Sequence, residues 1–329
     1  MKDTTNLLNS HISYKIMKLS VIIPVFNEKE NLLPLFNENQ KVLDELKKTK
    51  KISSYEIIFI DDGSIDGTAK ILEELSLKNK TVKSILFRRN FGQTAALKAG
   101  FDYTRGDLIV TMDGDLQNDP KDIPMLIEKI NQGYDVVSGW RVNRKDNFGK
   151  KIASKIMNIF RKKIVGDKLH DYGCSLKIYK KDCIKDLELF GELHRYITAY
   201  LHIKGYKIGE IPVNHHSRKF GKTKYKLNRG LNGIFDLFFL KFWSSYSSRP
   251  LHFFGRIGVF QWLLAFFILF EQIIKSVIVQ KLSLGPLLML AAVLGISGLL
   301  FIIFGFMSEM LSRNFFSNRK IYNIKKIYN

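Results

Sequence analysis

Three oxygen-bearing side chains, Asp113, Asp115 and Gln117, follow one short apolar segment at alternate positions. Alternate residues of an extended chain point to the same side, so this spacing predicts that the three side chains share one face where a strand ends. Carboxylate and amide oxygens are ligands that Mg²⁺ and Mn²⁺ prefer, and such a set leaves coordination positions for a diphosphate and water. The pattern therefore indicates an incomplete metal site.

A second acidic pair, Asp61 and Asp62, ends an earlier apolar segment and opens the turn DDGSIDGT. In one interpretation these carboxylates only shape the turn and cap the helix that follows it. In the other they recognise a nucleoside, with glycine allowing its close approach. The segment by itself favours neither interpretation.

Basic residues are in large excess, since 52 Lys and Arg against 31 Asp and Glu give a formal net charge of +21. Such an excess indicates an anionic partner, whether phosphate, nucleic acid or an acidic membrane surface. The segment HHSRKFGKTKYKLNRG has six Lys or Arg and no acidic residue, as suits a mobile strap over phosphates. Because aromatic stacking platforms and a nucleic-acid-binding motif are missing, we expect no nucleic-acid partner.

The elements that position these residues alternate between strand-like and helix-like patterns, as in a domain built of βαβ units. Such an α/β domain has a mostly parallel central sheet, and its ligands bind beyond the carboxyl ends of the strands. Neither GxGxxG after the first strand nor GxxxxGK[ST] occurs, which disfavours a dehydrogenase and a P-loop NTPase. The expected strands are Leu19–Phe26, Tyr55–Ile60, Thr81–Phe87, Leu108–Met112 and Tyr134–Gly139.

The composition near the C-terminus is that of a membrane anchor. Leu284–Met307 contains 24 residues without a charge, and a helix of that length spans roughly 36 Å, enough for a hydrocarbon layer of about 30 Å. Ile257–Val279 is apolar with polar interruptions, and we favour a second span over an interfacial helix. Ala291 and Gly295 would let the two helices approach closely.

Charges around this hairpin predict its orientation. Lys and Arg flank both outer ends, whereas the connecting turn offers only Lys281. By the positive-inside rule, we expect a multi-pass protein of the plasma membrane with the large N-terminal domain and both termini in the cytoplasm. The expected divisions are an N-terminal extension (1–17), the α/β domain (18–230), amphipathic juxtamembrane helices at the interface (231–255), two transmembrane helices (256–310) and a basic cytoplasmic tail (311–329).

Several motifs occur in a characteristic order: SVIIPVFNEKENL, DDGSIDGT, RNFGQTAALKAG and MDGDLQNDP, followed by DYGCSLKIYKKD and SRKFGKTKY. This series resembles the glycosyltransferases of family 2, which have the nucleotide-sugar-binding GT-A fold. More narrowly, the chain is similar to the polyprenyl-phosphate sugar transferases, namely the dolichyl-phosphate mannose synthases and their bacterial undecaprenyl-phosphate relatives. The resemblance covers about residues 18–310, including the hairpin.

The resemblance implies a role for each matching position. Residues that would bind the nucleoside of the donor are Pro24, Asn27, Glu28, Asp61 and Asp62. Those that would hold Mg²⁺ or Mn²⁺ against the donor diphosphate are Asp113, Asp115 and Gln117. The cations that would receive the acceptor phosphate are Arg141 with Arg144 or Lys151. The cations that would close over the anionic site are Arg218 and Lys224. Asp171 would take part in catalysis beside the sugar or the acceptor.

The implied activity is inverting transfer of a hexose from UDP- or GDP-hexose to a membrane polyprenyl phosphate. The product would serve glycan, lipopolysaccharide or cell-envelope modification, and the enzyme could be a homo-oligomer. One alternative is a family 2 transferase that acts on a sugar hydroxyl, but the QxxRW motif of processive synthases is missing. Another is a non-catalytic, membrane-tethered binder of nucleotide or lipid, against which the intact Asp113, Asp115 and Gln117 argue.

Overall fold

A computed structural model gives the fold of the chain. It describes residues 17–142, 166, 169–185, 187, 189, 191, 193–218, 238–239, 241–242, 245–246, 250–279, 285–315 and 324–328. The described residues fall into two compact units, one within 1–233 together with 321–329, and the other within 234–320.

The first unit alternates strands and helices along most of its length. In chain order its elements are β1 (Met17–Val25), α1 (Lys29–Lys48), β2 (Ile52–Asp61), α2 (Thr68–Lys78), β3 (Val82–Phe87), α3 (Gln93–Tyr103), β4 (Leu108–Thr111), a 3₁₀ turn (Pro120–Asp122), α4 (Ile123–Ile130), β5 (Val136–Trp140), β6 (Lys177–Lys180), α5 (Lys181–Lys185), a second 3₁₀ turn (Leu193–Tyr196), α6 (Ile197–Ile203), β7 (Ile208–Pro212) and β8 (Ile324–Tyr328).

These strands form one sheet in the order β7-β5-β6-β4-β1-β2-β3-β8. β1 runs parallel to β2 and β4, β2 is parallel to β3, and β5 is parallel to β7. β6 is antiparallel to both β4 and β5, and β8 is antiparallel to β3. The expectation of an α/β domain with a mostly parallel sheet is confirmed.

The core follows from the apolar strands and the amphipathic helices that cover them. Val21, Ile23 and Phe59 of the central strands are completely buried. From α1, Leu32 and Leu35 pack into the same core, because they lie three residues apart on one face of the helix. This rigid sheet is the support on which the polar loops at its edge depend.

The second unit contains two long apolar helices, α7 (Pro250–Val279) and α8 (Pro286–Phe315). Stretches of 29 and 26 residues within them are long and apolar enough to cross a membrane, and only 11% of the most apolar part of each is buried. Such exposure of apolar side chains is unlike the core helix of a soluble protein. The two helices therefore form the expected hairpin of membrane-spanning type.

Small residues lie where the two helices meet. Ala291 of the expected pair is buried, and the backbones also approach closely at Gly258 and Gly298, where a Cβ on Gly258 would lie 2.5 Å from the carbonyl oxygen of Gly298. The indole of Trp262 also donates a hydrogen bond to the Gly295 carbonyl at 2.9 Å. Close backbone approach is typical of helix pairs in membranes.

Three polar residues of α7 have partners within the hairpin. Ser297 donates to the side-chain oxygen of Gln261 at 3.2 Å, which links the two helices. Glu271 and Lys275 pair with each other at 2.5 Å, one helical turn apart. Pairing reduces the cost of carrying such groups on an apolar helix.

The C-terminal residues return to the first unit. β8 pairs with the edge strand β3, with Ile327 opposite Ile85 and Lys326 opposite Leu86. Its residues belong to the segment expected to be a basic tail (311–329), for which no strand was expected. Pairing with β8 supplies hydrogen bonds to an edge strand that would otherwise be open.

Candidate active site

The site lies where the parallel strands end. β1, β2 and β4 are parallel neighbours, and β5 runs in the same direction because the antiparallel β6 separates it from β4. Backbone hydrogen bonds continue past the strands, since Asp62 donates to Val25 at 2.9 Å and Met112 donates to Ile22 at 3.1 Å. The motifs that follow these four strands therefore meet at one edge of the sheet, where ligands of such sheets bind.

Asp61 and Asp62 organise the loop after β2. Asp61 accepts a hydrogen bond from the backbone of Ser64 at 3.1 Å. Asp62 accepts from the backbone N–H of Phe91 at 2.7 Å and of Gly92 at 2.9 Å, just before α3. Burial raises the pKa of Asp62 to about 6, although both amide donors favour its charged form. Asp61 and Asp62 thus shape the turn, as the first interpretation predicted, and their recognition of a nucleoside stays a prediction.

Several backbone positions in this region have positive φ angles, and two of them, Gly63 and Asn27, link the loops. Gly63 has φ +74°, and a Cβ there would overlap the backbone of Arg89, so only glycine fits. Asn27 has φ 53°, which asparagine tolerates better than most residues. The backbone N–H of Asn27 donates to the Ser64 hydroxyl at 2.7 Å, and its side-chain oxygen accepts from Ile65 at 2.9 Å. These bonds tie the end of β1 to the loop after β2.

The other two residues expected at the nucleoside lie on the same edge. Pro24 is on β1 opposite Ile60, and Glu28 precedes α1. The backbone N–H of Glu28 donates to the Thr68 hydroxyl at 3.1 Å, and its carboxylate accepts from the Asn31 side chain at 2.5 Å. All five residues thus lie at the ends of β1 and β2, while their contact with a nucleoside remains a prediction.

Asp113 is held by two amide side chains. Its backbone N–H donates to the side-chain oxygen of Asn118 at 3.0 Å, and its carboxylate accepts from the Gln93 side chain at 2.9 Å. Burial raises the pKa of Asp113, and the negative charge of Asp115 raises it further. Because the charges of Asp113 and Asp115 repel each other, a cation bound between them would stabilise the ionised form of both.

Asp115 and Gln117 complete the acidic group. One oxygen of Asp115 accepts from the backbone of Gln117 at 3.2 Å, and the other accepts from the Arg218 guanidinium at 2.5 Å. The side-chain NH₂ of Gln117 donates to the His216 carbonyl at 3.3 Å, so the loop that contains His216 and Arg218 lies over the acidic motif. Arg218, which we predict to bind phosphate, therefore contacts Asp115, which we predict to bind the metal.

The chemistry of this donor set fits a divalent cation. Asp113, Asp115 and Gln117 offer two carboxylates and an amide oxygen at one strand end, and hard cations prefer such oxygen ligands. Within the described residues, no group of three His, Cys, Asp or Glu side chains is suited to hold a metal. A metal here would therefore depend on the amide, on water or on a ligand for its remaining bonds.

Arg141 and Asp171 form a buried, two-pronged ion pair. The guanidinium donates from Nε at 2.7 Å and from Nη2 at 3.0 Å to the two oxygens of the Asp171 carboxylate. Both side chains are only 12% exposed. Burial opposes ionisation of Asp171, but the hydrogen bonds and charge of Arg141 outweigh burial and hold its pKa below the usual range. Asp171 is therefore a poor proton acceptor and a good orienting group for Arg141.

Sequence reasoning assigned no role to several residues that support the site. Lys177 is buried on β6, and its ammonium donates to the Tyr172 carbonyl at 3.2 Å and to the Cys174 carbonyl. Burial lowers the pKa of Lys177. Ser175 donates to the same Asn118 oxygen that holds the Asp113 backbone, at 2.8 Å. The sequence did offer signals for these residues, since Ser175 and Lys177 lie in the motif DYGCSLKIYKKD and Asn118 directly follows Gln117 in DGDLQNDP.

Three of the predicted cations fall outside the residues that the structure describes, and their positions are not assigned. They are Arg144, Lys151 and Lys224.

With this geometry in hand, comparison with known proteins decides the family. Residues 20–188 match the model of Glycosyl transferase family 2. The chain belongs to this family. The expected membership and enzyme class, a glycosyltransferase, are thereby confirmed.

A curated relative is similar over nearly the whole chain. The dodecaprenyl-phosphate galacturonate synthase of Rhizobium johnstonii is 39% identical over 309 residues, which are 91% of this chain and 89% of the relative. The narrower resemblance to polyprenyl-phosphate sugar transferases is thus confirmed at the level of sequence similarity.

Solved structures share the fold of the catalytic unit. Glucosyl-3-phosphoglycerate synthase from Mycobacterium tuberculosis in complex with phosphoglyceric acid has a TM-score of 0.51 at 15% identity, covering 69% of this chain and 80% of that one. Its complex with Mn²⁺ and UDP-glucose gives 0.51 at 16% identity, covering 68% and 79%. These likenesses confirm the expected GT-A fold.

Proposed function

We propose that the transferase moves a sugar from a nucleotide diphosphate to a membrane polyprenyl phosphate, with inversion at the anomeric carbon. One observation carries this proposal: the acidic motif and a buried arginine occur together at one edge of the sheet. The positive charge of Arg141 is close enough to Asp113 to lower its pKa against the effect of burial. A site for a metal-bound diphosphate thus adjoins a cation suited to a second phosphate.

Asp113, Asp115 and Gln117 would hold the divalent cation, which when bound neutralises charge on the nucleoside diphosphate leaving group. The Mn²⁺ in the structural neighbour supports a divalent ion, and either Mg²⁺ or Mn²⁺ suits these ligands. Arg218 already contacts Asp115 and would add positive charge beside the donor phosphates.

The acceptor chemistry fits the described residues. A lipid phosphate monoester has a second pKa of about 6, so it arrives largely deprotonated and needs orientation more than a strong base. Arg141 would orient it, and Asp171 would orient Arg141. A hydroxyl acceptor would instead need a general base, a role for which the lowered pKa of Asp171 makes it unsuitable. In-line attack on an α-linked donor gives a β-linked lipid phosphate sugar.

The donor is a UDP-linked hexose or hexuronate in our proposal. The neighbour bound to UDP-glucose supports the UDP base, and the galacturonate named for the curated relative supports the acid sugar. GDP-mannose is the competing donor to include in any test.

The membrane part of the proposal places both ends of the hairpin in the cytoplasm. The basic flanks of the hairpin support that side. The return of the chain from α8 to β8 in the first unit supports two crossings.

The deciding experiment uses the purified full-length protein in lipid nanodiscs with Mn²⁺ and polyprenyl phosphate. UDP-glucose, UDP-galacturonate and GDP-mannose are supplied in turn, each labelled in the sugar. We expect label to enter the organic phase with one donor and to depend on the polyprenyl phosphate. Label found only in polymer would favour the sugar-hydroxyl alternative, and no transfer from any donor would refute the proposed reaction.

A further inference from the structure

We propose that Glu210 is a positioning residue for the acceptor, because its carboxylate anchors the backbone segment that holds Asp171 against Arg141. The functional half of this inference depends on the proposed role of Arg141 in binding the lipid phosphate. The structural half, that Glu210 anchors Asp171, does not depend on it.

The Glu210 carboxylate forms hydrogen bonds to two consecutive residues, His170 and Asp171. It accepts from the backbone N–H of His170 at 3.0 Å and of Asp171 at 2.9 Å. The same carboxylate lies 2.8 Å from Nδ1 of the His170 ring. A partly buried carboxylate that satisfies two amides and a ring nitrogen fixes both the path of the chain and the direction of its side chains.

Asp171 in turn contacts Arg141, the residue proposed to bind the acceptor phosphate. Asp171, whose amide is held by Glu210, binds the Nε and Nη2 edge of Arg141. This pairing leaves the Nη1 side of the guanidinium as the edge suited to bind a phosphate. A shift of Asp171 would rotate that edge, and small errors in orientation are costly in catalysis.

The strand register explains why the anchor is on β7. Glu210 lies opposite Ser138 in the parallel β5–β7 pair, and Arg141 comes directly after β5. The ring of Trp140, beside Arg141 in sequence, stacks on that of His170 with 4.4 Å between centroids. Both the arginine and the segment that orients it are therefore attached to two neighbouring, rigid strands.

The far side of the same segment is also fixed. A Cβ on Gly173 would lie 2.9 Å from Nη2 of Arg141, so the segment runs close against the guanidinium. Lys177 binds the carbonyls of Tyr172 and Cys174. With residues 172–174 secured by Lys177, Glu210 is the group that secures residues 170 and 171.

Hydrogen exchange tests the anchor without any substrate. In Glu210→Ala we expect the amides of His170 and Asp171 to exchange at least about tenfold faster, since they lose their acceptor. The amide of Gly173, which donates to Asp171 at 3.0 Å, should follow if Asp171 moves. The β1 amides, far along the sheet, should keep their protection. Unchanged exchange at residues 170 and 171 would overturn the anchoring role.

Kinetics test the consequence for the acceptor. Glu210→Ala should raise the KM for polyprenyl phosphate by about tenfold or more, the scale found for groups that orient a ligand-binding side chain. The KM for the nucleotide sugar should stay within about twofold of wild type. Glu210→Gln retains one acceptor oxygen and should restore part of the loss.

A matched control removes the same kind of group from β2, which four strands separate from β7 in the sheet. Glu56 on β2 accepts from the Arg105 backbone and the Ser20 hydroxyl, both at 2.6 Å. Glu56→Ala should lower the melting temperature yet leave the acceptor KM unchanged. Equal effects of Glu56→Ala and Glu210→Ala on the acceptor KM, or equal effects of Glu210→Ala on both substrates, would overturn the inference. Failure of wild type to use polyprenyl phosphate would instead refute the proposed function and leave the exchange result standing.

Discussion

The charge on Asp62 should destabilise the folded protein near neutral pH. The residue is 5% exposed, and burial raises the pKa of its carboxyl from 3.8 to about 6. Because the folded state holds the proton more tightly, stability should fall as pH rises from about 4 to about 6 and then level off. A shift of about two units corresponds to about 3 kcal/mol, which we reduce to about 2 kcal/mol for screening by solvent at the rim of the site.

Asp62→Asn removes this charge while keeping an oxygen for the amides. The same carboxylate oxygen accepts from Phe91 at 2.7 Å and from Gly92 at 3.2 Å, so an asparagine can retain both bonds. At pH 8 we expect the melting temperature to rise by about 4–8 °C, since about 2 kcal/mol is spread over a unit of some 240 residues. At pH 5, near the middle of the range over which the stability falls, the gain should be about half as large.

The same variant should lose donor binding if Asp62 recognises the nucleoside. We expect its KM for the nucleotide sugar to rise by about tenfold, and the wild-type KM to fall as pH rises through 6. Thermal unfolding of the detergent-solubilised protein at pH 5 and pH 8, together with donor kinetics, provides the measurement.

Asp66→Asn is the matched control in the same turn. The carboxylate of Asp66 accepts from the backbone and hydroxyl of Thr68 and from the Lys29 backbone. Burial opposes ionisation, but these bonds hold its pKa below 3.8, so the ionised form should stabilise the fold at pH 8. Asp66→Asn should therefore lower the melting temperature at pH 8. A lower melting temperature for Asp62→Asn at pH 8, or equal gains at both pH values, would refute the reasoning.

Three further variants address the acidic motif and its cations. Asp115→Asn should abolish transfer of label to the organic phase while the circular dichroism spectrum stays that of wild type; wild-type rates would contradict the metal assignment. Arg218→Ala removes the 2.5 Å pair with Asp115, so Mn²⁺ measured by calorimetry without nucleotide should bind more tightly and the donor KM should rise; weaker Mn²⁺ binding would argue against competition between the two cations. Gly173→Ala puts a methyl group 2.9 Å from the Arg141 guanidinium and should raise the acceptor KM more than the donor KM, as initial rates at varied lipid would show.

The central sheet and the placement of the acidic motif could be predicted from the sequence, since both depend on local patterns. Apolar runs such as Leu19–Phe26 are buried on both faces and end in polar turns, which is typical of parallel strands. The spacing of Asp113 and Asp115 then placed them at a strand end. These features need no knowledge of distant parts of the chain.

Long-range pairings could not be predicted in the same way. Arg141 and Asp171 are 30 residues apart, and neither residue indicates which partner it takes. Glu210 is on a short strand, β7, that the hydrophobic pattern did not single out. The spacing of small residues indicated a helix–helix contact at Ala291 and Gly295, but it did not indicate the close approach of Gly258 to Gly298. In each case tertiary contacts, not local propensity, make the selection.

The path of the chain around the membrane anchor constrains its topology. The catalytic unit ends at residue 233 and resumes at residue 321, with the two long helices between. β8 then pairs with β3 at one end of a sheet whose other strands all precede the two helices. In the proposed topology, two membrane crossings return the chain to the side it left, as the pairing of β8 with β3 requires, whereas one interfacial helix with one span would not. Two spans would also tether the transferase to the bilayer at both ends of the hairpin, which would keep its site at high effective concentration relative to a lipid substrate.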